Sequence, residues 1–95
     1  MKARHEARLR AVQFLFQCDF NDLELGEALD RFWESQPEGG RVRRLAEDWI
    51  RGVLAHRDDI DRRLQAVTEN WDMARIGAVD RNVMRLAVYE MEHCL

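Results

Sequence analysis

The chain of 95 residues is poor in cysteine: Cys18 and Cys94 are too few and too far apart to form a disulfide framework. It has one proline and five glycines, which excludes the Pro/Gly-rich composition of a low-complexity chain. No stretch free of charge reaches the roughly 18 apolar residues that a membrane-spanning helix needs. Lys2, Arg4, Glu6, Arg8 and Arg10 are not followed by an uncharged apolar run, so the start does not read as a secretory signal. These absences point to a soluble cytoplasmic protein with reduced thiols. Motifs for chemistry are missing too. His5, His56 and His93 stand far apart, there is no Cys-x-x-Cys or His-x-x-x-His pair, and no metal site is expected. Without a Walker loop or a Gly-x-Gly-x-x-Gly run, no cofactor and no active site are expected either.

What is present suits one small domain: 46% apolar residues, 35% charged residues and a net charge of −3. A chain this size buries only about 60–65% of the surface its unfolded form exposes, so one modest core is the ceiling. The charge is unevenly spread. Residues 1–10 sum to +3, residues 11–40 to −6, residues 41–63 to +2 and residues 64–95 to −2. A basic start on an acidic body hints at an anionic partner.

Helical spacing dominates, with no run long enough at period two to suggest a strand. At 100° per residue a first helix over about 3–20 has two apolar faces. Ala7, Ala11, Phe14, Leu15 and Cys18 form one, and Leu9, Val12, Phe16 and Phe20 the other. A helix that only covers a core needs one stripe, so this helix is either central or holds a partner on its second side. A short second helix is expected over about 27–35, then a loop at Gln36-Pro37-Glu38-Gly39-Gly40. From Arg41 the apolar pattern Val42, Leu45, Ala46, Trp49, Ile50, Val53 and Leu54 continues through Ile60, Leu64 and Val67. It gives one long helix or two that abut near His56–Asp58. Gly52 inside that run suggests a close helix–helix approach, since glycine there costs about 1 kcal/mol relative to alanine. Asn70-Trp71-Asp72 interrupts, Trp71 reads as a helix-corner plug, and a turn of helix is expected over 73–76. Asp80 is an N-cap or first-turn acid for a last helix through about 93. Asp58, Asp59 and Asp61 read as a solvated salt-bridge face, and Cys18 as a core thiol.

Arg4 and Arg8 share a helix face, and Lys2, His5 and Arg10 flank them. Such a helix end can neutralise backbone phosphates with little base discrimination; it also has the plain reading of a charged helix start. For Phe16, a second core layer and a partner surface are both open.

Ala3-Arg4-His5-Glu6-Ala7-Arg8 followed by Ala11-Val12-Gln13-Phe14-Leu15-Phe16-Gln17 resembles the opening of the NusB family of transcription antitermination factors. Gly52-Val53, Ile60-Asp61, Asn70-Trp71 with Arg75-Ile76, and the block from Val79 to Met91 continue the resemblance in order across almost the whole chain. It implies an all-α fold of two small helical bundles. It also implies binding to the boxA element of ribosomal RNA leader transcripts with the ribosomal protein NusE, within an RNA polymerase antitermination complex. By position, Lys2, Arg4, His5, Arg8 and Arg10 match the family's arginine-rich RNA-binding start. Phe16 and Asp80 match positions used toward the ribosomal protein, and Arg85 and Tyr89 match positions with a packing role. Family members usually continue for about another third of the chain, so the second bundle is expected to be incomplete. Exposed Val83, Leu86, Ala87 and Met91 would then favour a homodimer or aggregation. Two alternatives remain at this point: the NusB-like N-terminal domain of a ribosomal RNA cytosine methyltransferase, and a helical oligomerisation module with no RNA role.

Overall fold

Three local signals set where the helices begin and end. The Glu24 carboxylate accepts hydrogen bonds from the backbone N–H groups of Gly26 (3.0 Å) and Glu27 (2.8 Å), which starts a helix at Leu25 rather than at residue 27. The Pro37–Gly39 stretch separates that helix from the next, which begins at Gly40. At His56, whose N–H bonds the Gly52 carbonyl, one helix stops and another starts, so the long run is two abutting helices. The computed structural model describes residues 2–20, 24–67 and 76–93. Its helices are α1 (Lys2–Cys18), α2 (Leu25–Ser35), α3 (Gly40–Ala55), α4 (Arg57–Val67) and α5 (Ala78–His93), with no strand among the described residues. The expected break at Asn21-Asp22, the Asn70-Trp71-Asp72 interruption, the Trp71 plug, Arg75 and Cys94 lie outside the described residues. So does the helical turn expected over 73–76, except Ile76.

α1 lies at the centre. It packs most extensively on α3 and next on α5, which also touches α3 and α4. Fully buried alanines, Ala7 and Ala11 on α1 and Ala46 on α3, keep the side-chain layer thin and let the helices approach closely. Around them Phe14, Leu15, Ile50, Val53 and Trp49 fill the core. α2 closes one side: Phe32 meets Phe14 edge-on with ring centroids 5.5 Å apart. The Trp33 indole N–H donates to Glu47 on α3 at 2.8 Å. Gly52 does mark a close approach. A Cβ there would lie 2.1 Å from Cζ of Tyr89, so the α5 ring occupies the space a side chain would need.

Two expectations need correction. Asp61 does not share the solvated face of its neighbours. The Asp59–Arg62 pair is exposed, but Asp61 accepts a two-pronged hydrogen bond from Arg85 at 2.8 and 2.9 Å, and Arg85 is only 6% exposed. Of the four apolar positions expected to be exposed, Val83, Ala87 and Met91 are, but Leu86 belongs to the buried core cluster at 3% exposure. Cys18 is half-buried against the core, and burial, followed by the charge of Asp19, pushes its thiol pKa up.

Candidate functional site

α1 presents the two faces its pattern predicts. Ala7, Ala11, Phe14 and Leu15 are buried, whereas Leu9, Phe16 and, just past the helix, Phe20 are exposed. Val12 is half-buried against the core. Phe16 and Phe20 pack on each other edge-on at 5.0 Å. Beside them lies an apolar hollow of about 330 Å³ lined in part by Val12, Phe16, Phe32 and Val79. The next residue, Asp80, is an exposed acid in the first turn of α5, the second of its two expected roles. The packing of α1 on α5 therefore brings Phe16 and Val79, distant in sequence, to one hollow.

The five basic candidates divide. Lys2, Arg4 and His5 are exposed, and none of the three makes a hydrogen bond or ion pair among the described residues. Arg8 is paired across the fold, although its side chain is still 43% exposed. Its guanidinium grips Glu90 of α5 through Nε (2.8 Å) and Nη2 (2.9 Å), and it sits 5.6 Å from the centre of the Trp49 ring. Arg10 faces the α2–α3 loop, donating to Glu38 (2.6 Å), Gln36 (2.7 Å) and Gln13 (3.0 Å). Arg10 is thus separated from the other four. The carboxylates that hold Arg8 and Arg10 come from other elements, and their spacing gives no hint of the pairing.

At the opposite end of α1 lies a polar cluster that the residue pattern does not announce. The Asp19 carboxylate accepts from Asn82 Nδ2 (2.8 Å), Arg81 Nη2 (3.2 Å) and Arg85 Nη1 (3.3 Å), and Arg85 continues to Asp61. Asn82 is 1% exposed and also donates to the Ala78 carbonyl. Burial by itself would raise the Asp19 pKa. The hydrogen bonds from Asn82 and Arg81, with the charges of Arg85 and Arg81, outweigh it and hold the carboxyl below its ordinary range. The cluster ties the end of α1, three residues past Phe16, to the residues that follow Asp80. Its only trace in the sequence is the polar stripe of Arg81, Asn82 and Arg85 on one side of α5.

Among the described residues no three His, Cys, Asp or Glu side chains gather where they could hold a metal ion, and no helix is long and apolar enough to cross a membrane. The surface is suited to contact: a cationic first turn, an exposed aromatic pair and an acid at the far end.

A family model described as NusB family matches residues 5–95. Curated relatives named transcription antitermination protein NusB agree over most of the chain. One from Anaeromyxobacter sp. (strain Fw109-5) is 47% identical over 89 residues, covering 93% of this chain and 62% of its own length. One from Geobacillus kaustophilus is 38% identical over 90 residues, covering 95% and 66%. One from Myxococcus xanthus is 33% identical over 97 residues, covering 98% and 69%. The chain spans less than two thirds of the length of the first two. No solved structure matches.

Proposed function

The chain belongs to the NusB family, and from that membership we propose that it is a non-enzymatic transcription antitermination factor. In this reading residues 1–95 act as one domain in the cytoplasm. They bind boxA-type leader RNA together with the ribosomal protein NusE, join the RNA polymerase antitermination complex and support ribosomal RNA synthesis.

The observation that carries the RNA part is the first turn of α1. Lys2, Arg4 and His5 are exposed there, and the turn contains no acidic residue. A helix start carries partial positive charge from its unpaired N–H groups and favours anions, so cations placed there are mildly unfavourable on their own. A phosphate at this point relieves both effects, accepting from backbone N–H groups and from the side chains. Contacts of this kind give salt-dependent affinity and fix register, while base preference comes from unstacked bases meeting side-chain planes. The protein-partner part is supported by the exposed Phe16–Phe20 pair, an apolar anchor, with Asp80 exposed in the first turn of α5.

The test is a titration of the chain, alone and with NusE, against single-stranded boxA-type RNA and a scrambled control at two salt concentrations. The pair is expected to bind boxA RNA more tightly than either protein alone. Arg4→Ala should weaken binding and flatten the salt slope by about one. Arg8 is paired with Glu90, so Arg8→Ala removes that pair as well as a charge and is the less direct test. Equal affinity for both RNAs, unchanged by Arg4→Ala, would remove the reading.

A further inference from the structure

Three aromatic rings meet where the end of α5 reaches the junction of α3 and α4. The Tyr89 ring lies where a Cβ on Gly52 would stand, so the backbone of α3 fixes it. His56 caps the end of α3, and His93 is one turn past Tyr89 on the same face of α5. The ring centroids of His56 and His93 are 4.6 Å apart, those of Tyr89 and His93 4.9 Å, and those of His56 and Tyr89 6.2 Å. All three planes lie within 27° of parallel. Tyr89 is half-buried, whereas both histidines are exposed. Two near-parallel imidazoles anchored on a fixed ring are thus open to solvent. We propose that His56 and His93, backed by Tyr89, form a stacking platform for an unpaired base of single-stranded RNA.

Chemistry and position both favour a base. Every base offers a π face to a side-chain ring, so such a contact tolerates any sequence. The charges around the rings cancel in pairs, Arg62 with Asp59 and Arg63 with Glu92, which suits an uncharged plane better than a phosphate. Beside His56 opens a polar hollow of about 460 Å³, within the range of small-ligand sites. Its arginines, Arg57 and Arg62, match its aspartates, Asp58 and Asp59. The phosphates have a separate place. α5 ends beside the start of α1: Arg8 meets Glu90, and Arg4 and His5 border the same groove as Met91. His93 lies two residues past Met91, about 200° around the helix. A strand held by its phosphates at Lys2, Arg4 and His5 is therefore on the order of one helix width, about 10 Å, from the rings. That is a span of about three nucleotides at about 3.4 Å each. The cationic turn supplies affinity without base preference, and the rings supply the planes that a base contact needs.

The platform rests on the RNA reading above and gives it a place for base contact. The test titrates the 95-residue chain, alone and with NusE, with single-stranded boxA-type RNA at two salt concentrations. It is run at about pH 8, where free histidine is uncharged. His56→Ala and His93→Ala should each weaken binding by about tenfold and leave the salt slope unchanged, because stacking releases no counterions. His93→Phe, which keeps a ring, should bind to within about threefold of the native chain. In proton NMR of the native chain, the C–H signals of His56 and His93 should move upfield as RNA is added, under the ring current of a stacked base. Native affinity in both alanine variants overturns the proposal, as does a His93→Phe chain that binds no better than His93→Ala. If the alanine variants lose their helical circular dichroism, the NMR decides, and imidazole signals unmoved by saturating RNA overturn the platform. Loss of the ring effects while Arg4→Ala still flattens the salt slope removes the platform alone. RNA that binds the native chain neither alone nor with NusE removes the RNA reading and the platform with it.

Discussion

Asp19 sits where the chain leaves α1, and its carboxylate is the common acceptor for three side chains of α5. Its removal would leave the Asn82 amide without this acceptor in a buried site and deprive Arg85 of one of its two carboxylates. Asp19→Ala is therefore expected to cost about 3 kcal/mol in urea unfolding at neutral pH, less than complete loss of a buried pair because Asp61 still holds Arg85. The pH dependence follows from the direction of the shift. The Asp19 carboxyl titrates lower in the folded state than in the unfolded chain. The stabilisation it provides is complete above the ordinary value of 3.8 and is lost as pH falls through the lower folded value. Urea midpoints of the native chain should thus drop steeply in that acid range, and those of Asp19→Asn should drop less. Equal acid sensitivity of the two proteins would contradict this account of the cluster. At this scale the sequence was least legible. It marks Asp19, Glu38, Glu90 and Asp61 as acids, but nothing in one sequence says that each meets an arginine from another element.

At the scale of the element, α1 carries two apolar faces with different consequences. Phe14 is 1% exposed and touches Phe32, whereas Phe16 is 37% exposed and leans on Phe20. Phe14→Ala should cost about 3–4 kcal/mol, the transfer term plus the cavity left between α1 and α2. Phe16→Ala should cost less than about 1 kcal/mol, since a partly exposed side chain loses little burial and leaves no closed cavity. Chemical denaturation of the two variants checks the contrast; similar losses would make Phe16 a core residue. Helix boundaries were readable to within about two residues where a cap or a Pro/Gly loop signals them. The start of α2, at Leu25, is set by the carboxylate of Glu24, which lies outside the apolar pattern.

Across the molecule, α1 is shared: it faces α3 and, through Phe14, α2 on one side, and α5 on the other. Neither group can lose α1 and keep its core, so the described helices should unfold as one cooperative unit. Native-state hydrogen exchange is expected to give the innermost amides of α3 and of α5 the same opening free energy. A lower value for α5, by more than about 1 kcal/mol, would mean that the α5 side opens separately. The charge map also has a meaning only at this scale. The basic start read as one cluster of five side chains divides, because α5 and the α2–α3 loop bring Glu90 and Glu38 to Arg8 and Arg10, while Lys2, Arg4 and His5 have no partner among the described residues.

The sequence by itself left one long helix or two open near His56, and it determined the helical class, the split of α1 into two apolar faces and the close approach at Gly52. All of these follow from periodicity and backbone chemistry, which act over a few residues. Only the tertiary structure decided which basic side chains are paired, that Asp61 meets Arg85, that Leu86 is core while Val83 is not, and that Phe16 and Val79 line one hollow. Those outcomes depend on which helix lies opposite, and contact across 60 or more residues is fixed by the packing of whole faces rather than by local spacing.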